Sequence, residues 1–246
     1  MATIAPHGPR LAAAIAPAMP NALVAALRRR QRDRFLAACE PFAMEFGDVL
    51  CEVETPYGHA YFPCGGLISL VSSLHGQNPL DMGLIGHEGM LGATLLLGIG
   101  TVPIQAVVHA PGMAMRITVA KLHREIRDSP ELRKILNRYL YMRLVELSLT
   151  GGCIQYHRIE QRLARSLLVA HDRARADRFH LTHEHLADML GVRRSSITIA
   201  AGGLQDRELI RYSRGGITIL DRPGLEAMSC ECYRILHERQ GRQLPG

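Results

Sequence analysis

Residues 181–204, which read LTHEHLADMLGVRRSSITIAAGGL, constrain the fold of this chain more than any other stretch. Thr182 is a typical helix N-cap, and the apolar positions after it predict a short helix that ends at Gly191. A second helix is predicted from about Arg193, with Ile197 on its inner face. A glycine turn between two short helices, with a β-branched residue packing the second one, is typical of a helix-turn-helix.

A β-hairpin is predicted directly after the second helix. Residues 209–220 read LIRYSRGGITIL, in which two β-rich runs are separated by a glycine-containing turn. Arg211 and Arg214 would lie near the tip of this hairpin. A helix-turn-helix followed by such a hairpin predicts a winged DNA-binding domain, and the alternative is a plain helical hairpin with a solvated basic face.

The outer start of the second predicted helix carries side chains that suit DNA. Arginine forms bidentate hydrogen bonds with guanine or phosphate, and hydroxyl groups can donate to either. In helix-turn-helix proteins, this end of the second helix enters the major groove. The candidate contacts on the helix are Arg193, Arg194, Ser195, Ser196 and Thr198. The formal net charge of +6 agrees with a polyanionic partner, although 27 arginines against 2 lysines also fit a GC-rich genome.

The chain before this segment changes pattern. Residues 1–20 read as a loose arm rich in Ala and Pro, and residues 21–40 as one amphipathic helix capped by Asn21. Over residues 42–117 short apolar runs alternate with Gly and Pro, which predicts strands of four to seven residues in a small antiparallel barrel or roll. Within that span, a turn or two of helix fits only around residues 92–97.

Helical periodicity returns after Thr118. One short helix covers residues 119–127, and Ser129, as the N-cap before Pro130, opens a long one. Two apolar stripes run along the long helix: Leu136, Leu140, Leu144, Leu147, Gly151 and Ile154 in one, and Ile135, Met142, Val145 and Leu149 in the other. Two stripes need two partners, which would be the chain's own roll and the same helix of a second subunit, unless the helix is buried inside a monomer.

These patterns predict an α+β fold: an N-terminal antiparallel β-roll of the double-stranded β-helix or jelly-roll type, a long dimerisation helix and a C-terminal winged helix-turn-helix. The expected boundaries are a flexible arm at 1–20, a sensor domain at 21–128, the dimerisation helix at 129–156 and the DNA-binding domain at 157–246. The length of 246 residues fits two domains of ordinary size.

The order of a roll, a long helix, LTHEHLADMLGVRRSSI and a wing resembles the cyclic-AMP receptor protein and fumarate–nitrate regulator (Crp/Fnr) family of bacterial transcription factors. The resemblance covers about residues 22–236, and YFPCGGLISLV and IGHEGMLG look like a branch with an altered cyclic-nucleotide-binding-like domain. It implies a cytoplasmic homodimer on a palindromic site, with double-stranded DNA and RNA polymerase as partners and no membrane. Any effector would bind the roll and reorient the DNA-binding heads.

The resemblance also assigns roles to individual residues. Arg194 matches the family's guanine-reading arginine, while Ser195 stands where the family often has Glu and Ile199 where it has a second base-reading arginine. The half-site is therefore expected to differ from the one that the cyclic-AMP receptor protein reads. Phosphate contacts are implied for Thr182, His183, Ser196, Ser213 and Arg214.

Family members that bind a cyclic nucleotide use a Gly-Glu pair for the ribose and an Arg-Ser or Arg-Thr pair for the phosphate. With a one-residue gap, Gly92-Ala93 and Ile104-Gln105 fall at those places here. A buried phosphate without an arginine is unfavourable, so tight cyclic-AMP binding is not expected. Glu88 lies nearby, although the glycine after it favours a turn. The candidate effector-binding residues are Glu88, Gly92, Ala93, Ile104 and Gln105.

The sequence favours no other cofactor and leaves the effector unknown. An iron–sulfur cluster needs grouped cysteines, whereas Cys39, Cys51 and Cys64 are spaced 12 and 13 residues apart. Haem is disfavoured because nothing marks an axial ligand. The H-x-x-H-x-H run at 180–185 does not place its histidines on one helix face, so no metal site is expected.

Nothing in the sequence points to catalysis, because G-x-S-x-G, P-loop, H-E-x-x-H and G-x-G-x-x-G motifs in their required contexts are all missing. Cys230 and Cys232 could be a redox pair, but we expect one to pack against the winged domain and the other to be half exposed. The sequence shows no signal peptide or membrane span, and its six sparse cysteines suit a reducing cytoplasm with free thiols.

The function predicted from the sequence is therefore sequence-specific DNA binding by a homodimeric bacterial transcription regulator, controlled by an effector other than cyclic AMP. One alternative is an effector-independent regulator whose roll is purely structural. The other is a ligand-binding or interaction module whose C-terminal domain docks on protein.

Overall fold

The protein is described by a computed structural model that covers residues 20–72, 80–175, 178–213 and 216–243. Of the predicted N-terminal arm, only Pro20 falls within these ranges. Within the same ranges, no helix combines the length and the apolar character that crossing a bilayer requires.

Asn21 attaches the start of the described chain to the roll. Its side-chain oxygen accepts hydrogen bonds from the backbone N–H groups of Leu23 and Val24 at 3.0 and 3.4 Å, which confirms the predicted N-cap. Its amide nitrogen donates to the carbonyl groups of Pro63 and Gly89 at 2.9 and 2.7 Å. Asn21 thus satisfies the helix start and two roll segments with one buried side chain.

The prediction of a single helix at 21–40 is wrong. The structure has α1, Ala22–Ala25, and α2, Arg29–Ala38, and residue 40 already lies in a strand. The chain leaves helical geometry at Arg28, whose ψ is 145°. This break lets both helices bury apolar side chains in one core, which stabilises the fold more than a continuous helix would. The buried residues are Leu23, Val24, Leu27 and Phe35.

The predicted roll is built from two antiparallel sheets. The strands are β1, Glu40–Met44; β2, Val49–Cys51; β3, His59–Pro63; β4, Leu67–Ser72; β5, Leu80–Ile85; β6, Gln105–Ala110; and β7, Gly112–Thr118. The sheet orders are β1-β7-β3 and β2-β6-β4-β5, and a buried cluster that includes Met44, Ile68 and Val108 lies between the sheets. A short 3₁₀ helix at Ala93–Leu97 matches the helical turns predicted around residues 92–97.

Two helices follow the roll. They are α3, Val119–Asp128, and α4, Pro130–Tyr156, which is 27 residues long. The Ser129 hydroxyl accepts a hydrogen bond from the backbone N–H of Leu132 at 3.1 Å, as the Ser-Pro-Glu start predicts.

The two apolar stripes of α4 have different surroundings. Ile135, Met142 and Val145 of one stripe are buried within the chain. In the other stripe, Leu144, Leu147 and Ile154 are 59%, 42% and 52% exposed. Leu136, which was predicted to share a stripe with Leu144, Leu147 and Ile154, is fully buried, because the first turns of α4 pack into the roll core with α1 and α3. The exposed part of this stripe, here called the open stripe, therefore lies on the later turns of the helix and includes Leu144, Leu147 and Ile154.

The C-terminal part has the predicted winged helix-turn-helix. Its elements are α5, Ile159–Ala174; β8, Arg178–His180; α6, His183–Leu190; α7, Arg194–Asp206; β9, Ile210–Ser213; β10, Gly216–Ile219; α8, Arg222–Met228; and α9, Glu231–Gln243. The predicted hairpin of β9 and β10 is confirmed, and β8 adds a third strand that was not predicted from the sequence. Leu163, Leu186 and Ile197 are fully buried in the core of this part, which also takes in Leu67 and Leu84 of the roll.

α9 returns the chain to the long helix. Leu236 on α9 shares a buried cluster with Met142 and Val145 of α4. Cys230 and Cys232, just before and within the first turn of α9, are 3% and 5% exposed. The expectation of one half-exposed cysteine is therefore wrong, because the start of α9 packs against the end of α4. All six cysteines are free thiols.

A buried ionic cluster, here called the Arg173 network, joins the roll, α4 and α5. The Arg173 guanidinium donates to the Glu146 carboxylate at 2.9 Å and lies 3.0 Å from the Glu88 carboxylate. It also donates to the carbonyl of Leu84 on β5 at 2.6 Å, and Arg143 donates to Glu146 at 2.6 Å. Arg173 is 4% exposed, so its charge depends on these partners.

We predict that Glu146→Gln lowers the free energy of unfolding by about 3 kcal/mol, because it leaves two arginines without their shared carboxylate. Burial raises the pKa of Glu146, but Arg143 and Arg173 outweigh burial and lower it from 4.5 to about 2. The ionised carboxylate therefore stabilises the fold above pH 4.5, and this contribution is lost as the pH falls towards 2. Urea unfolding between pH 2 and pH 7 measures both effects.

Glu238→Gln is the matched control, because the Glu238 carboxylate forms its ion pair with Arg234 on the exposed side of α9. The control is expected to keep nearly all of the wild-type stability. If Glu146→Gln is as stable as Glu238→Gln, the Arg173 network does not hold these elements together.

Candidate nucleic-acid interface

The helix-turn-helix is shaped by local capping. The Thr182 hydroxyl accepts a hydrogen bond from the backbone N–H of His185 at 3.2 Å and starts α6. Gly191 ends α6 with φ of +60°, a conformation in which a side chain would be strained. Arg193 is the N-cap residue of α7, and its side chain makes no capping hydrogen bond. These features set the turn that the sequence predicted.

The outer face at the start of α7 is open to solvent. Arg193, Arg194, Ser195 and Thr198 are exposed, and Ser196 is half-buried. The Arg194 guanidinium lies 3.9 Å from the Glu184 carboxylate, with both side chains more than 60% exposed. Such a pair contributes little, so the arginine can leave it for a stronger acceptor. The structure thus presents these predicted contacts together on one helix end.

His183 connects α6, α7 and the wing. Its backbone N–H donates to the Tyr212 hydroxyl at 3.2 Å, and the two rings stack with centroids 4.2 Å apart. Its Nδ1 lies 3.1 Å from the Thr198 hydroxyl, which itself donates to the carbonyl of Arg194. Burial, followed by the positive charge of Arg194, lowers the pKa of His183 below 6.5. Through these contacts, His183 holds α6, α7 and the wing in fixed relative positions.

The wing places two predicted contacts on one side. Arg211 and Ser213 are exposed on β9, whereas Arg214 lies outside the described residues. Tyr212 between them turns towards the helices, and its backbone N–H donates to the side-chain oxygen of Gln205 at 2.7 Å. Tyr212 and Gln205 were not predicted from the sequence to be positioning residues. The period-2 alternation of β9 is the signal that separates Tyr212 from its neighbours.

In the middle of α7, one large apolar side chain is exposed and two consecutive glycines carry no side chain. Ile199 is 74% exposed, although it is a large apolar side chain. An added Cβ at Gly202 or Gly203 would meet nothing within 4 Å, so packing within the chain does not require glycine there. Each glycine makes the helix about 1 kcal/mol less stable than alanine would.

Comparison with known proteins identifies the fold and the C-terminal domain. A family model for the Crp-like helix-turn-helix domain matches residues 161–228. The transcriptional regulator SdrP of Thermus thermophilus is 27% identical over 198 residues, which are 77% of this chain and 94% of that protein. A solved Crp/Fnr-family regulator from the same organism has a TM-score of 0.63 at 25% identity, covering 77% of this chain and 98% of that one. The chain therefore contains a Crp-like helix-turn-helix domain and resembles Crp/Fnr transcription regulators over most of its length.

More distant structures share the architecture of this regulator. FixK2 from Bradyrhizobium japonicum has a TM-score of 0.67 at 14% identity, covering 78% of this chain and 98% of its own. The relatives and the fold are those of transcription regulators with a helix-turn-helix DNA-binding domain, and not those of enzymes.

The candidate effector residues of the regulator have other partners in the structure. Glu88 lies in a turn, accepts a hydrogen bond from the backbone N–H of Gly86 at 3.1 Å and belongs to the Arg173 network. Gly92 has φ of +100° at the start of the 3₁₀ helix, and a Cβ there would approach that of Ala60 at 3.3 Å. Glu88 therefore links the roll to α5.

A carboxylate lies beside Ile104-Gln105, the position at which the resemblance predicts the cyclic-phosphate ligands. Gln105 begins β6, and its amide nitrogen donates to the Glu52 carboxylate at 2.8 Å. Ile104 before it is half-buried and apolar. A carboxylate next to this position repels a cyclic phosphate, where an arginine would attract it.

We predict that calorimetric titration of the purified regulator with cyclic AMP shows no binding tighter than about 100 µM. The reason is the lack of an arginine at Ile104-Gln105 and the carboxylate of Glu52 beside it. The same preparation must bind its DNA site, which controls for correct folding. A dissociation constant clearly below about 100 µM contradicts the prediction.

Proposed function

We propose that this regulator binds a palindromic DNA site as a homodimer and controls transcription there in response to an effector other than cyclic AMP. The proposed units are the roll at 21–128, the dimerisation helix at 129–156 and the DNA-binding domain at 157–246. The observation that carries the proposal is the exposed Arg193-Arg194 end of α7 beside the wing.

The exposure and the partners of each side chain suggest its role in DNA binding. Arg194 is exposed and only weakly paired, so it would read a base edge in the major groove, with Arg193 and Ser195 beside it. Arg211 would neutralise phosphate from the wing. The remaining predicted contacts, for which phosphate binding or positioning is proposed, are Thr182, His183, Ser196, Thr198, Ser213 and Arg214. Ile199 would contact a thymine methyl group, which agrees with a half-site of its own.

The dimer would form along the open stripe of α4. Leu144, Leu147 and Ile154 are large apolar side chains on one face of a long helix, where burial of each contributes about 1.5–3 kcal/mol when complete. Gly151 lies on the same face and is exposed, so the partner helix can approach closely there. A two-fold axis would pair the stripe with its own copy and present two α7 helices to the DNA.

The effector signal would travel through direct contacts between the roll and the DNA-binding domain. The rings of His109 on β6 and His185 on α6 lie 4.6 Å apart. Leu84 on β5 packs into the winged-domain core, and its carbonyl accepts from Arg173. An effector that favours one arrangement of these contacts would shift the DNA-binding domains between two orientations relative to the roll. RNA polymerase is the proposed protein partner at the promoter.

The DNA proposal is tested by selecting sites from random duplexes with the purified protein and measuring affinity by fluorescence anisotropy. We predict that Arg194→Ala weakens binding to the selected site about 10-fold or more and relaxes specificity at one base pair. Arg211→Ala should weaken binding to all sequences and lower the slope of log affinity against log salt by about 1.

Arg234→Ala is the control, because Arg234 is exposed on α9 and pairs with Glu238. It should leave affinity and salt dependence unchanged. If no sequence is enriched at low salt, the proposal of sequence-specific DNA binding is wrong, and the alternative in which the C-terminal domain docks on protein is favoured.

We predict that Leu147→Glu shifts the protein from dimer to monomer in sedimentation-velocity experiments at micromolar concentration. A charge in the centre of the stripe would have to lose its hydration on association. Val53→Glu serves as the control, since Val53 is a 45% exposed apolar side chain in the turn that follows β2 on the roll. A Leu147→Glu protein that remains as dimeric as the control excludes the open stripe as the interface.

A further inference from the structure

Four metal-ligating side chains meet where α4 ends and α9 begins. They are Cys153, His157, Cys230 and Cys232, and one donor atom from each lies within 4.8 Å of all the others. The three thiols are buried and the histidine is half-buried. None of these residues belongs to the DNA interface or to the candidate effector site.

The distances in this cluster suit a single tetrahedral ion. The Sγ atoms of Cys153 and Cys230 are 3.5 Å apart, and Cys232 Sγ lies 3.6 Å from His157 Nδ1. In a zinc site with bonds of about 2.3 Å to sulfur and about 2.0 Å to nitrogen, donor atoms lie about 3.4–3.8 Å from each other. An iron–sulfur cluster would need more widely separated thiolates to enclose several irons.

We propose that Cys153, His157, Cys230 and Cys232 bind one Zn²⁺ ion in a Cys₃His site. Three thiolates and one imidazole are the donors of closed structural zinc sites, which keep no position open for a substrate. The site ties the last turn of α4 to the first turn of α9.

The orientation of the histidine fits a ligand. His157 turns Nδ1 towards the thiols, while its Nε2 lies 3.8 Å from the Glu231 carboxylate. A carboxylate behind the second ring nitrogen is a common partner of zinc-bound histidine, because it holds the proton on the nitrogen that does not bind the ion.

Two buried arginines compensate the charge of the site. Zn²⁺ with three thiolates carries a net charge of −1. Arg162 and Arg165 lie close enough to Cys153 and Cys230 for their positive charges to balance it. Both arginines are 8% exposed, and among the described residues neither forms an ion pair with a carboxylate. The Nε of Arg165 has no hydrogen-bond partner among those residues. An anionic metal–thiolate centre explains why these cations can be buried here.

The position of the site suggests what the ion does. His157 is the C-cap of α4, and α5 starts two residues later, so the site lies at the bend between the long helix and the DNA-binding domain. Cys153, Arg162 and Arg165 also line a cleft between the roll and α5, so one side of the cluster faces this cleft. A bound ion would hold α4 and α9 together at this bend.

The first test measures metal in the full-length protein purified under reducing conditions without chelator. Elemental analysis is expected to find about one zinc per chain. After removal of zinc, one equivalent of Co²⁺ should give thiolate-to-cobalt charge-transfer bands and the intense visible bands of tetrahedral cobalt. Zinc should raise the thermal midpoint of the metal-free protein by about 5–10 °C.

Cys232→Ser tests the ligand set, and Cys39→Ser is the matched control, because Cys39 lies at the end of α2 and packs against the roll core, outside the cluster. Cys232→Ser should lose the cobalt charge-transfer intensity of one thiolate and bind zinc at least 10-fold more weakly, whereas Cys39→Ser should behave as wild type. The cobalt spectrum of the wild type keeps the proposal falsifiable if Cys232→Ser does not fold.

Three results would overturn the proposal. One is a wild-type protein that retains no metal and gives no thiolate-to-cobalt bands. Another is a Cys232→Ser protein with the zinc affinity of Cys39→Ser. The third is a disulfide between Cys153 and Cys230, found by mass spectrometry in the native protein.

Discussion

Arg173 brings a positive charge to the point where the roll, the long helix and the DNA-binding domain meet, and the arrangement of all three depends on how that charge is satisfied. Its guanidinium contacts a carboxylate from α4, a carboxylate from the roll and a carbonyl of β5. Taking an arginine out of water is unfavourable unless its hydrogen bonds are met. The same partners are available only when the roll, α4 and α5 sit together.

This constraint places the recognition helix relative to the roll. α5 carries Arg173 on its last turn and supplies Leu163 and Leu167 to the winged-domain core, so fixing α5 also fixes α6 and α7. Glu146 holds α4 in the same network, and another face of α4 exposes the open stripe. One buried cluster thus connects the surface proposed to bind DNA with the surface proposed to bind a second subunit.

Much of the local structure could be predicted because the interactions that determine it join residues close together in the chain. Thr182 caps α6 and Gly191 ends it through interactions within a few residues, and the period-2 pattern of 209–220 indicates the wing directly. The break at Arg28 could not be predicted, because the apolar residues on both sides fit one helix equally well. Their burial in the roll core decided the outcome, as it did for Leu136 on α4.

The sequence by itself determined the order of roll, long helix and winged helix-turn-helix, since caps, turns and periodicity act over short distances. It also placed Arg193 and Arg194 at the exposed start of a helix. Only the tertiary structure decided that Glu88 pairs with Arg173 and that Cys153 lies 3.5 Å from Cys230, 77 residues further along the chain. Such contacts depend on how helices pack against each other, and no local pattern encodes the distance between two separated segments.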